Sequence, residues 1–323
     1  MEKKFACVIP TVADDYGRTK IHYLSFFRLL PVNRLIFIGP AELKVEIKKD
    51  IENGFYKDNK IDHIEENDLV EFSQIKKIYE ELRAETNQKN PSSVNWYYQQ
   101  FLKMAYSGRC SDDYYLCWDS DTIPVRKIEM FSQDGTPYLD YKTEFQNSYF
   151  KTIERLFGFG KVIEKSFISE HMLFNKILMR EMIGDIEKSN NRGKNCWEKI
   201  IYSMGADNLA CGFSEFETYG SWVAMNHTSE YKLRSWNSFR NLSFFIDIKD
   251  LTREDIEYLA ADYHAVTFEK YQKTEPYFTE LFRDKRYREK LSPKQFYTAI
   301  LETGVMGEYS DGVIKYDGIE APV

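Results

Sequence analysis

Over the first 120 residues, short apolar runs alternate with longer stretches whose apolar positions recur at helical spacing. FACVIP at residues 5–10 is an apolar run closed by proline, the pattern of a buried first strand. In residues 19–30, Ile21, Leu24, Phe27 and Leu30 predict a helix with those four side chains on its buried face. RLIFI at 34–38, stopped by Gly39-Pro40, predicts a second strand, and residues 61–64 a weaker third. Residues 67–85 read as a helix, with Leu69, Phe72, Ile75 or Lys76 and Tyr79 in register. An aromatic-rich helix follows at 95–106 (NWYYQQFLKMAY), then a strand at 114–118 (YYLCW).

Farther along the pattern is less regular. Residues 123–159 carry turn signals at Asp134-Gly135 and Gly158. Residues 169–186 predict one amphipathic helix with Met172, Met179, Met182, Ile183 and Ile186 on one side. Residues 214–224 predict another, opened by Ser214 with Glu217 in capping-box position. From about residue 251 the chain is polar, rich in Lys and Glu and helix-like, with Pro293 restarting a helix after Leu291-Ser292. Strands alternating with helices predict an α/β fold, Rossmann-like, with a mostly parallel central sheet flanked by helices. The expected division is a domain over 1–245 and a helical C-terminal extension over 246–323. In open sheets of this kind ligands bind beyond the carboxyl ends of the strands, where Thr11 and Asp119 fall.

Composition narrows the function. The chain has 323 residues with 43 % hydrophobic and 29 % charged positions, enough for a substantial core. Its net charge of −7 argues against a general nucleic-acid binder, which needs a basic face for phosphates. Five scattered cysteines show no zinc-type spacing and read as buried free thiols of a reducing compartment. The N-terminal apolar run is too short for a signal peptide, and no run of about 18 apolar residues occurs. The expected location is the cytoplasm, with peripheral contact at the inner face of a membrane left open. Tyr and Phe, 23 of each, suit large packed layers or a pocket that stacks planar groups.

The chemistry concentrates at Asp119-Ser120-Asp121, directly after the strand-like YYLCW. If the backbone stays extended, both carboxylates face one side and can hold a hard divalent cation, leaving positions for water and phosphate oxygens. A solvated turn is the plainer account of two aspartates, and the apolar strand before them weighs against it.

Residues 114–121 (YYLCWDSD) resemble the DxD element of GT-A glycosyltransferases, which use nucleotide-sugar donors. Upstream, residues 96–103 (WYYQQFLK) resemble the WYxQQxLK helix of a bacterial family in that group, found around capsule and surface-polysaccharide gene sets. Downstream, residues 213–220 (FSEFETYG) are similar to that family's SEYExYG segment. The likeness runs in order over about residues 5–240. It implies a GT-A-like fold and transfer from a UDP-sugar, or else a GDP-sugar, to a glycan or lipid-linked saccharide. Capsule or lipopolysaccharide synthesis is the implied setting. It further implies Mn²⁺ or Mg²⁺ at Asp121, with Asp119 reaching the metal or the ribose. Pro10, Thr11 and Val12 would lie against the base, and Gln99, Gln100 and Lys103 near sugar or phosphates. His227 would be a late third metal ligand.

On the acceptor side, Glu215, Glu170 and Asp207 are the candidate bases for an inverting reaction. Glu170 has an alternative role as a carboxylate at a helix N-terminus, and Glu217 as the capping-box partner of Ser214. Lys232, Arg234 and Arg240 could close over a diphosphate or form a solvated basic loop. His22 and His63 read as structural and His264 as exposed. Three rival readings remain. A haloacid-dehalogenase-type phosphatase places its acidic pair near the chain start, unlike this one. A nucleotidyltransferase would need the glycine-rich phosphate loop that is missing after residue 10. A non-catalytic nucleotide- or sugar-binding protein would need no metal.

Overall fold

The element that organises the chain is a five-stranded sheet in the order β3-β2-β1-β4-β7, seen in a computed structural model that describes residues 3–85, 92–304 and 306. Its strands are β1 (Phe5–Pro10), β2 (Val32–Gly39), β3 (Lys60–Glu65), β4 (Tyr114–Trp118) and β7 (His171–Asn175). β1 pairs parallel with β2 and β4, and β2 with β3; only β7 runs antiparallel, against β4. The protein is thus a mixed α/β fold with a mostly parallel central sheet. β1 is buried at every position, because a parallel sheet carries helices on both faces.

Between these come β5 (Thr122–Pro124) and β6 (Tyr138–Tyr141), followed by β8 (Lys232–Ser235), β9 (Ser238–Phe239) and β10 (Ala265–Thr267). β6 and β8 form a parallel ribbon, and β10 lies between β5 and β9 in a three-stranded sheet.

The chain forms two compact units that interleave along the sequence. The first holds residues 1–16, 31–120 and 130–235; the second holds 17–30, 121–129 and 236–323. The expected segments 1–245 and 246–323 are consecutive, whereas these units are not, and the chain passes from one to the other between Ser120 and Asp121. The first unit contains the central sheet and a core that includes Tyr97, Phe101, Tyr115, Phe174 and Trp222. The second has its own core around Phe239, Phe245, Phe282 and Phe296.

Several elements differ from the periodicity reading. Residues 19–30 do not form one α-helix: a 3₁₀ segment, Lys20–Ser25, precedes Phe26–Leu29. The tighter winding turns Tyr23, Phe26 and Leu30 inward and leaves Ile21 exposed. The segment 169–186 is a strand and then a helix. β7 takes His171–Asn175, and Asn175 caps the helix Lys176–Lys188 by accepting from the amides of Ile177 and Leu178. Residues 171–174 are buried on both faces, so no period of two shows in the sequence. The irregular stretch holds a helix, Asn147–Phe157, ended by Gly158. The C-terminal part is not purely helical, since the buried strand β10 lies within it; three residues are too few to display alternation.

The five cysteines are free, four of them buried. Among the described residues no helix is long and apolar enough to cross a membrane.

Candidate functional site

Parallel pairing of β1 with β4, Val8 opposite Cys117, carries Pro10 and Asp119 to the same end of the sheet. Thr11 follows at that end, its amide donating to the Ile38 carbonyl at 2.9 Å. Gly39 makes this possible: a Cβ there would overlap the Thr11 carbonyl oxygen and come within 2.8 Å of Leu43 Cδ2. Pro10 and Thr11 are buried, and Val12 is the exposed apolar residue of the segment.

Asp119 continues the β4–β7 ladder by one step, its amide donating to the Glu170 carbonyl at 2.9 Å. Its Oδ1 accepts from Lys103 Nζ at 2.6 Å, and Lys103 donates equally to Glu215 Oε1, also at 2.6 Å. The Lys103 and Glu215 side chains are 3 % and 4 % exposed and Asp119 is 31 % exposed, so the cluster reaches solvent through Asp119. The ammonium also lies 4.3 Å from the ring centre of Phe216.

The helix Val94–Ala105 builds this cluster from one face. Tyr97, Gln100 and Lys103 stand three residues apart and address successive parts of the chain from 209 to 216. The Tyr97 hydroxyl donates to the Leu209 carbonyl at 2.9 Å and accepts from the Gly212 amide at 3.0 Å. Gln100 Oε1 accepts from the Glu215 amide at 3.0 Å, and Lys103 takes the Glu215 side chain. Gln100 and Lys103 are therefore both engaged with Glu215 inside the protein. Gln99 is half-buried on the same helix.

The helix Glu215–Asn226 receives that template. Ser214 caps it by accepting from the Glu217 amide at 3.3 Å. Glu217 does not complete a capping box: its Oε2 instead accepts from Ser166 Oγ at 2.6 Å and the Phe167 amide at 3.0 Å. The Tyr219 hydroxyl accepts from the Asn175 amide at 3.1 Å, which fixes the end of β7. Glu215, Glu217 and Tyr219 thus each hold a different neighbouring segment, while Ser214 caps its own helix.

Lys103 and Glu215 show opposite balances. Burial alone would lower the Lys103 pKa, but the two carboxylates outweigh it and hold the ammonium above the ordinary lysine value. Burial raises the Glu215 carboxyl; Lys103 opposes this and the Asp119 charge adds to it, for a net rise. The lysine faces two carboxylates, while Glu215 faces one ammonium and a like charge.

Glu170 precedes a strand, so a helix N-terminus does not account for its carboxylate. Its Oε1 accepts from Lys142 Nζ at 2.5 Å, and both groups are largely buried. Asp207 lies in the 3₁₀ turn Ala206–Asn208, and its side chain falls outside the described residues. His227 ends the 215–226 helix against Trp222, with Nε2 3.4 Å from Glu181. Among the described residues no three His, Cys, Asp or Glu side chains gather as a metal-ligand group. His22 and His63 lie beside the carbonyls of Ile248 and Gly39. His264 is not an exposed tail residue: it stacks on Trp236 at 4.7 Å and contacts Arg126 at 2.6 Å.

The basic residues of the later loop are also engaged. Lys232 pairs with Asp134 at 2.5 Å and Arg240 with Glu269 at 3.4 Å. Arg234 clamps Asp140 with Nε at 2.6 Å and Nη2 at 2.7 Å, and His171 Nε2 lies 2.9 Å from the same carboxylate. Burial would raise the Asp140 pKa, but Arg234 and His171 hold it below its ordinary 3.8. The folded state therefore binds that proton more weakly than the unfolded state. Stability from Asp140 is full above its ordinary value and is lost as pH falls through the folded one. Denaturant midpoints between about pH 6 and pH 3 should fall less steeply in Asp140→Asn than in the parent; parallel curves would remove Asp140 from the acid response.

The model of a family described as "Family of unknown function (DUF6492)" matches residues 2–280. No curated protein matches the chain. Among solved structures, mouse xyloside xylosyltransferase 1 in its apo form is similar at TM-score 0.45 and 13 % identity, over 84 % of this chain and 99 % of that one. The glycosyltransferase GlyE of Streptococcus pneumoniae TIGR4 is similar at TM-score 0.39 and 12 % identity, over 94 % of this chain and 64 % of that one. The galactosyltransferase LgtC, solved with donor and acceptor sugar analogs, is similar at TM-score 0.39 and 11 % identity, over 88 % of this chain and all of the other (100 %).

Proposed function

Because the chain belongs to the DUF6492 family, whose function is unknown, we propose an activity from its own residues: glycosyl transfer from a nucleoside-diphosphate sugar to a hydroxyl of a glycan or lipid-linked saccharide. The observation that carries this reading is the convergence of three separate motifs on one ammonium. Lys103 of 96–103, Asp119 of 114–121 and Glu215 of 213–220 meet there, at the carboxyl end of a parallel sheet. That end is where α/β sheets bind ligands.

In the reaction, an acceptor hydroxyl oxygen bonds to the anomeric carbon as the bond from that carbon to the diphosphate oxygen breaks. The nucleoside diphosphate leaves with the electron pair. The hydroxyl proton passes to a carboxylate in an inverting reaction, or to the leaving diphosphate in a retaining one. Val12, exposed just beyond Pro10 and Thr11, offers an apolar contact for a planar base. Asp119 and Asp121, two residues apart in sequence, provide hard oxygen donors of the type Mn²⁺ and Mg²⁺ take alongside phosphate oxygens. Such a cation, when bound, supplies charge neutralisation for the departing diphosphate. Lys103 holds the Asp119 carboxylate in place. Surface-polysaccharide synthesis in the cytoplasm is the setting we assign.

A panel of UDP- and GDP-sugars should raise the melting temperature when Mn²⁺ is present and much less when it is chelated, because ligands of the folded state stabilise it. Asp121→Ala should abolish Mn²⁺-dependent turnover of the matching donor while its far-UV dichroism stays that of the parent. Metal-independent nucleotide binding without turnover would favour a binding protein. Normal turnover by Asp121→Ala would remove that residue from the site.

A further inference from the structure

The Lys103 cluster holds one more carboxylate than its ammonium requires. Pairing Lys103 with Asp119 alone would neutralise both. Glu215 adds a second carboxylate at the same 2.6 Å, and its side chain is only 4 % exposed. Burying that second carboxylate strips it of hydration that one ammonium, shared with Asp119, only partly replaces. Two features of the surroundings favour the ionised form of Glu215 against its burial. It is the first residue of a twelve-residue helix, where the macrodipole favours negative charge. Gln100 fixes its amide from the neighbouring helix, and Lys103 takes its carboxylate.

We propose that Glu215 is a positioning residue that acts through Lys103: it leaves the three-group cluster with one net negative charge, which surfaces at Asp119 and draws a divalent cation there. This rests on the reading that Asp119 helps to hold such a cation. It replaces the expectation that Glu215 deprotonates the acceptor, because the Glu215 carboxylate is turned to Lys103 and closed off from solvent. The sum of formal charges is −1 for the native cluster. It becomes zero in Glu215→Gln, which keeps the shape and can still accept from Lys103. It returns to −1 in the double variant Lys103→Met/Glu215→Gln, where Asp119 stands without an ammonium.

The test is Mn²⁺ binding, followed by the paramagnetic resonance of free Mn²⁺ in the presence of UDP, with folding checked by dichroism and melting. Glu215→Gln should bind Mn²⁺ about tenfold more weakly, the scale of one charge removed from a poorly screened site. The double variant should recover to within about threefold of the parent, because only charge is restored while packing is altered further. A purely structural role for Glu215 predicts that the double variant binds worse than the single one, and that result overturns the proposal. So does a Glu215→Gln variant that binds as the parent does, which leaves the cation at Asp119 standing. If the parent itself binds no Mn²⁺ with UDP present, the cation reading fails and the role of Glu215 falls with it. Should Glu215→Gln not fold, the double variant decides alone: loss of Mn²⁺ binding in a folded protein sinks the idea.

Discussion

Lys103→Met is expected to lower folding stability by about 3–5 kcal/mol, the usual cost of breaking a buried ion pair by removing one partner. The Lys103 side chain is 3 % exposed, and methionine fills most of its volume, so little of the loss comes from a cavity. What remains is Glu215, buried without its counter-ion, next to the Asp119 charge. The carboxyl then gains stability by taking up a proton, and its pKa, already raised by burial, rises further. For an acid whose folded pKa lies above its unfolded one, the penalty is small below the unfolded value and grows as pH rises towards the folded value. The deficit should therefore be larger at about pH 8 than at about pH 5, and Glu215→Gln in the same chain should relieve much of it. Urea unfolding followed by tryptophan fluorescence measures both. A loss below about 1 kcal/mol at the higher pH would mean that the ion pairs contribute little.

Gly220→Ala should destabilise by about 2 kcal/mol, although alanine in a helix ordinarily gains about 1 kcal/mol over glycine. The added Cβ would overlap the Phe167 ring and lie 2.8 Å from the Phe167 Cβ. Phe167 has little room to retreat. It is fully buried, and its amide is held at 3.0 Å by the Glu217 carboxylate, one turn away on the helix that carries Gly220. Overpacking of this kind costs about 1–3 kcal/mol, and an anchored neighbour puts it at the upper end, which outweighs the propensity gain. Phe167→Leu alone should also destabilise, by loss of buried contact. Combined with Gly220→Ala it should destabilise less than the two single effects added together. Strict additivity would show that the ring does not set the limit.

These two residues also show why motif recognition stopped short of mechanism. Gly220 and Glu217 stand out in the sequence as part of a string, and Glu217 reads most simply as the capping partner of Ser214. The structure gives the glutamate to Ser166 and Phe167 instead, more than 45 residues away, and leaves Ser214 to cap alone. That two carboxylates from elsewhere in the chain share the Lys103 ammonium is likewise not written in its own segment. The 169–186 segment failed for a related reason: buried on both faces, a strand has no alternation, and its methionines mimic a helical stripe.

By itself the sequence determined the mostly parallel α/β class, the bounds of β1 and β4, the aromatic helix before β4 and the three segments that meet at Lys103. These features are local, written in runs, spacings and turn residues that act over a few positions. Only the tertiary structure decided that Gln100, Lys103, Asp119 and Glu215 form one cluster, that Glu170 belongs to Lys142, and that the chain crosses between units inside Asp119-Ser120-Asp121. Buried charges must find partners, and which partner each finds depends on how distant elements pack; spacing along the chain does not record it.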